Sequence, residues 1–128
     1  MTFLLDTQLL LWAAFKSDKL SAEARTIIAN DSNRLLFSAA SLWEIAIKRG
    51  LGRGDFTVDP RALRHGLADN GYTELPITST HAITVLDLPP LHKDPFDRLL
   101  LAQAISDGVI LLTADARLAG YPGPVRRV

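Results

Sequence analysis

Cysteine is absent from the 128 residues, which excludes a disulfide framework, a thiolate zinc site and a cysteine nucleophile. Histidine is scarce, and His65, His81 and His92 have neither HExxH nor HxxxH spacing, so a zinc hydrolase has no supporting motif. A charge excess is missing as well: 14 Lys and Arg stand against 14 Asp and Glu. Phosphate contacts demand basic groups, so any nucleic-acid binding must come from a local patch rather than from overall charge. No apolar run is long enough to cross a bilayer. The opening Met1-Thr2-Phe3-Leu4-Leu5-Asp6 lacks a basic start and an extended apolar stretch, so a signal peptide is not expected. The expectation is a cytoplasmic protein with no membrane association, in which any metal is held by oxygen or by histidine.

What is present is an alternation of short apolar runs with helix-like segments, the pattern of a parallel sheet covered by helices. The length suits one domain, residues 1–128. Strands are predicted at Phe3 to Asp6, Leu35 to Ser38, Glu74 to Ile77, Val109 to Thr113 and, as a short edge, Val125 to Val128. Helices are predicted over Leu9 to Phe15, from a Ser21 cap through Asn30, over Ala39 to Arg49 with Gly50 as a left-handed stop, and from Asp59-Pro60 through Ala68 before Asn70-Gly71. A short helix from Ser79 to Leu86 leads into the rigid connector Leu88-Pro89-Pro90-Leu91. A long helix then runs from Asp94-Pro95 to about Ser106, closed by Gly108. Gly50 to Asp55 reads as a turn.

Most acids sit in polar turns or at helix ends, but four do not. Asp6 ends the run Phe3-Leu4-Leu5, and Asp115 stands just beyond Ile110-Leu111-Leu112-Thr113, so both lie at the carboxyl ends of predicted strands, where open parallel sheets bind ligands. Glu44 lies inside Ala39-Ala40-Ser41-Leu42-Trp43-Glu44-Ile45-Ala46-Ile47, and Asp97 opens a helix that continues Leu99-Leu100-Leu101-Ala102. Ionised carboxylates gathered in apolar surroundings repel one another unless a cation neutralises them. Without cysteine or a histidine motif, that cation is a hard one such as Mg²⁺, which suits water activation and charge stabilisation in phosphodiester hydrolysis.

Each acid also has a purely structural reading. Asp6 can cap the following helix, Glu44 can pair with Lys48 four residues on, Asp94 and Asp97 have the spacing of a capping box, and Asp115 can close a turn. Trp12, Trp43 and Phe96 sit in apolar helical segments and read as core packing rather than base-stacking platforms. His81 and His92 read as structural, since a metal mechanism needs no protein base. An aspartyl nucleophile at Asp6 would call for a second acid two residues later, where Gln8 stands. A catalytically idle interaction module has no use for four converging carboxylates.

The string His92-Lys93-Asp94-Pro95-Phe96-Asp97-Arg98-Leu99-Leu100-Leu101-Ala102-Gln103-Ala104 resembles the HxDPFDRxLxAQA signature of one branch of PIN-domain ribonucleases, the VapC toxins of bacterial toxin–antitoxin pairs. Leu4-Leu5-Asp6-Thr7 with Leu10-Leu11-Trp12, Ser41-Leu42-Trp43-Glu44-Ile45-Ala46-Ile47-Lys48, and Leu111-Leu112-Thr113-Ala114-Asp115 accompany it in order. The segment from Gly50 to Gly71 carries no part of the resemblance.

The resemblance implies a three-layer α/β/α sandwich around a parallel sheet, with Asp6, Glu44, Asp97 and Asp115 as an acidic quartet around Mg²⁺ or Mn²⁺ that cleaves RNA. Asp94 is expected to cap its helix or to support the quartet from outside, with His92, and Thr7 and Thr113 to orient acids or water or to make structural bonds. Lys48, Arg49, Arg98 and Arg117 are expected either to grip phosphates or to offset nearby carboxylates. The implied partners are a small cognate antitoxin, the RNA substrate and a second copy in a homodimer. A housekeeping PIN nuclease without an antitoxin is the alternative within the same family.

Overall fold

The computed structural model describes residues 1–52 and 56–128; the predicted turn over 50–55 falls partly on residues 53–55, outside them. Among the described residues the strands are β1 (Thr2–Leu5), β2 (Arg34–Ser38), β3 (Thr73–Leu75), β4 (Ile110–Thr113) and β5 (Val125–Arg127). The helices are α1 (Thr7–Phe15), α2 (Ala22–Ala29), α3 (Ala39–Gly50), α4 (Pro60–Asp69), α5 (Ser79–Thr84), α6 (Pro95–Asp107) and α7 (Ala116–Ala119). The strands form one sheet in the order β3-β2-β1-β4-β5, and every neighbouring pair is parallel.

Alternation along the strands builds two cores, because successive side chains in a strand point to opposite faces. Phe3, Leu5, Leu35, Phe37 and Leu112 pack with Leu9 and Leu10 of α1, Ala24 and Ile27 of α2, and Leu63 and Leu67 of α4. Leu4, Leu36 and Leu111 face the other way, onto Leu100, Leu101 and Ala104 of α6 and Leu118 of α7. The result is the predicted three-layer sandwich. Strands buried on both faces need apolar residues at every position, which is why β1, β2 and β4 read as unbroken apolar runs.

The chain moves outward from β1 to β2 and β3, then crosses back to β4 and β5. The switch therefore falls between β1 and β4, whose register pairs Leu5 with Leu112, and the crevice beyond their carboxyl ends is where such a sheet binds ligands.

Several boundaries differ from expectation, each for a local reason. Asp6 leaves β1 and caps α1, which starts at Thr7 rather than Leu9. β3 ends at Leu75 because Pro76 has no N–H to donate to a ladder. α5 stops at Thr84 and tightens into a 3₁₀ turn over Val85–Asp87. Gly50 is the last residue of α3, and the left-handed turn comes at Gly52, with φ 68°. Gly108 does take the left-handed conformation that ends α6, with φ 67°, a state that costs a residue with a Cβ roughly 1–2 kcal/mol.

Candidate active site

Asp6 is 4% exposed and is held at both oxygens. Oδ1 accepts from the backbone N–H of Leu9 at 2.8 Å, and Oδ2 accepts from Thr113 Oγ1 at 2.6 Å. The backbone N–H of Asp6 also continues the ladder to Leu112 O. Asp6 is thus both a helix cap and a carboxylate locked across the β1–β4 switch. Burial raises its pKa to about 6, outweighing the two hydrogen bonds that favour the charged form, and the charges of Asp97 and Asp115 add to the rise.

Glu44 projects from α3, which begins when Ser38 at the end of β2 caps Ala40 N–H. Its Oε2 accepts from Lys48 Nζ at 2.8 Å, the predicted i,i+4 pair, yet the residue is only 6% exposed and its Oε1 has no hydrogen-bond partner among the described residues. A buried carboxylate oxygen without a donor calls for a ligand. Thr7 Oγ1 donates to Ser41 Oγ at 2.8 Å, joining the first turn of α1 to the helix that carries Glu44.

Asp97 lies in the first turn of α6, where Asp94 is the cap, accepting from the N–H groups of Phe96 and Asp97. The reciprocal half of a capping box is not made. Instead Asp97 Oδ2 meets His92 Nε2 at 2.8 Å. Burial raises the Asp97 pKa; the His92 hydrogen bond and the His92 charge work against it, while the Asp94 and Glu44 charges add to it. Potential donor atoms of His92, Asp94 and Asp97 lie within 4.8 Å of one another. Asp115 caps α7 through Arg117 N–H, is the most exposed of the four at 43%, and has Oδ2 4.0 Å from His92 Nε2.

These acids meet in one open cleft of about 350 Å³, lined by Asp6, Glu44, Asp94, Asp97 and Asp115 together with Thr7, Lys48, Gln8, Leu11, Trp12 and Ala114. A larger cavity of about 640 Å³, with residues of α1, α2 and α4 in its lining, has no acid there and one cation, Arg25. Chemistry that needs converging negative groups therefore belongs to the smaller cleft.

The cations are distributed differently from expectation. Lys48 lines the cleft and is paired with Glu44, whereas Arg49 Nη1 donates to Thr57 O at 2.6 Å. Arg98 turns away and binds Pro89 O, Val85 O, Leu88 O and the hydroxyl of Tyr121, so its guanidinium fastens a loop instead of facing a phosphate. Arg117 is exposed on α7 outside the lining. Trp43, expected in the core, is 56% exposed and packs edge-on against Phe96 with ring centroids 5.1 Å apart. His92 is no isolated structural histidine, because it touches one acid of the quartet and approaches another. The position of His92 in the motif, five residues before Asp97, was the available signal. Tyr121, which binds the backbone of His92, stands 29 residues away with no such signal.

Residues 3–124 match the PIN domain family. The ribonuclease VapC22 of Mycobacterium tuberculosis is 32% identical over 124 residues, covering 96% of this chain and 94% of that protein. Crystal structures of VapBC2 from Rickettsia felis, bound to a promoter DNA fragment, and of DNA-bound VapBC from Salmonella typhimurium superimpose with TM-scores of 0.71 and 0.67. Their identities are 15% and 16%, and each superposition covers 99% of this chain and 98% of the other. At that identity they speak for the fold, and the fold agrees with the sheet order and layers described above. The chain belongs to the PIN-domain family, and its likeness within that family is to VapC-type proteins.

Proposed function

We propose that this chain is a metal-dependent endoribonuclease, the toxin of a toxin–antitoxin pair, working as one domain over residues 1–128. The observation that carries the reading is the convergence of Asp6, Glu44, Asp97 and Asp115 on one cleft, with Asp6 and Asp97 both raised in pKa by burial and neighbouring acids. The donor set fits a divalent cation: all oxygen, no thiolate, and a buried Glu44 oxygen without a partner among the described residues. Such a set suits Mg²⁺ or Mn²⁺, and Asp6, Glu44, Asp97 and Asp115 are the residues that would hold it. Bound there, the ion would neutralise the carboxylates, lower the pKa of a water and offset charge building on the phosphoryl oxygens.

The chain's own part is orientation. Thr113 and the first turn of α1 fix both oxygens of Asp6, and Lys48 holds one oxygen of Glu44. Ribonuclease VapC22 is a relative whose name gives the substrate class, and the likeness to the VapBC structures supports a small antitoxin as the partner. A cytoplasmic location and a homodimer complete the proposal; no helix among the described residues is long and apolar enough to cross a membrane.

The test is cleavage of a panel of structured RNAs by wild type and Asp97→Asn, each with Mg²⁺, Mn²⁺ or chelator. Cutting by the wild type alone, abolished by chelator, is expected. Inactivity of folded wild-type protein free of any bound inhibitor, under every condition, would overturn the proposal.

A further inference from the structure

We propose that Tyr121, acting with Arg98 through the backbone of His92, is a positioning residue that sets the orientation of the Asp97 carboxylate in the cleft. This rests on the metal-nuclease reading and extends it to residues outside the acidic quartet.

The phenol oxygen of Tyr121 uses its full hydrogen-bonding capacity. It accepts from His92 N–H at 2.9 Å and from Arg98 Nη1 at 2.9 Å, and it donates to His92 O at 3.3 Å. A hydroxyl has two lone pairs and one hydrogen, so nothing is left over. The ring is buried in the core beneath α6 and α7, which gives the oxygen a fixed place. Arg98 meanwhile donates to Pro89 O at 3.0 Å, Val85 O at 3.3 Å and Leu88 O at 3.4 Å. The segment from Leu88 to Asp94 belongs to neither helix nor strand, and its backbone groups must find partners elsewhere. Arg98 and Tyr121 supply them at both ends.

The clamp determines where the imidazole lies. His92 Nε2 stands 2.8 Å from Asp97 Oδ2 and 4.0 Å from Asp115 Oδ2. A lone pair aimed at two carboxylates is repelled, so Nε2 carries the hydrogen and donates it to Asp97. With Oδ2 engaged, Oδ1 is the Asp97 oxygen without a hydrogen-bond partner among the described residues, and so the one free to serve the cleft. Adjacent residues of α6 thus divide the work: Asp97 enters the site, and Arg98 anchors the loop that returns His92 to it. Supporting hydrogen bonds of this kind, when removed, change metal affinity or activity by ~10–100-fold.

The test compares full-length wild type, Tyr121→Phe, His92→Gln and His92→Ala. Mn²⁺ affinity is measured by calorimetry at fixed pH, kcat and KM by RNA cleavage, and the His92 Nε2–H by NMR of ¹⁵N-histidine-labelled, metal-free protein. Tyr121→Phe keeps the ring and removes the clamp. It is expected to weaken Mn²⁺ binding by ~10-fold or more, to lower kcat with KM changed by no more than about twofold, and to shift or broaden the Nε2–H signal. His92→Gln, whose amide can donate to the same oxygen, should recover part of what His92→Ala loses. Wild-type Mn²⁺ binding matched by folded Tyr121→Phe overturns the inference. Should Tyr121→Phe fail to fold, the His92 pair decides it, and equal losses in Gln and Ala are the overturning result. Absence of any Mn²⁺ heat in folded wild type overturns the metal reading itself, an outcome distinct from the other two.

Discussion

Asp6 is the residue at which the needs of the site and of stability conflict most directly. Its carboxyl titrates near 6 in the folded chain against 3.8 when unperturbed, so the folded state holds a proton over a pH range in which the unfolded chain has released it. Stability from this group is therefore complete below about pH 4 and is lost as pH rises through 6, a loss of ~3 kcal/mol by neutrality. Asp97 is displaced in the same direction. In chelator, the wild type should melt at higher temperature near pH 4.5 than near pH 7.5, as far as these two groups govern it. Asp6→Asn should flatten that dependence and raise the pH 7.5 melting temperature by several degrees. Mn²⁺ should then stabilise the wild type and not the variant, because a ligand stabilises only the state that binds it. A wild-type melting temperature that fails to fall between pH 4.5 and 7.5 would show that burial does not hold these acids protonated.

At the scale of the element, α6 illustrates how one helix start can serve structure and site together. Asp94 accepts from two N–H groups and Pro95 occupies the first helical position, where a missing N–H is harmless. Asp94→Ala should cost ~1 kcal/mol of stability and loosen the turn that aims Asp97. Asp94→Ser, which can still cap, should restore both the melting temperature and most of the cleavage rate. Loss of cleavage in a Ser variant of wild-type stability would instead mean that the Asp94 charge itself serves the cleft. This start was legible in the sequence because Asp-Pro before an apolar run has a mechanism behind it, and β1, β2 and β4 were legible because burial on two faces leaves unbroken apolar runs. The start of α5 at Ser79 was as expected, but its cap was not: Thr78 and His81 cap each other reciprocally, a box with histidine in the place usually taken by Glu or Gln. Helix α3 does stop at Gly50 as expected, but the left-handed turn comes two residues later, at Gly52, because either glycine can take that conformation. The four acids could be picked out since each adjoins an apolar segment. The direction of Arg98 could not, because side-chain type says nothing about which carbonyls a neighbouring loop leaves unpaired, and Tyr121 meets His92 only through the fold.

Across the whole molecule, balanced charge and committed cations shape the way a phosphate chain can be held. Of the four basic residues near the quartet in sequence, Lys48 is paired with Glu44, Arg49 with a backbone carbonyl, and Arg98 with the 85–92 loop, which leaves Arg117 exposed. The acids of the cleft repel phosphate, and a divalent cation held there would offset part of that charge and offer the phosphate oxygens a positive partner. Binding of RNA should therefore depend on the metal more than on the counterions released by lysine and arginine. For a single strand, each neutralised phosphate contributes about −0.7 to the slope of log K against log salt, so two or three contacts predict a slope no steeper than about −2. Asp115→Asn, which removes the most exposed acid, separates binding from cleavage for this measurement. Its affinity for a short RNA, measured by fluorescence anisotropy across a range of KCl at constant Mg²⁺, should fall gently, and removal of Mg²⁺ should weaken it more than any salt step. A slope near −5 that is indifferent to Mg²⁺ would point to a basic surface away from this cleft, because the cations described around the quartet are too few and too occupied to produce it.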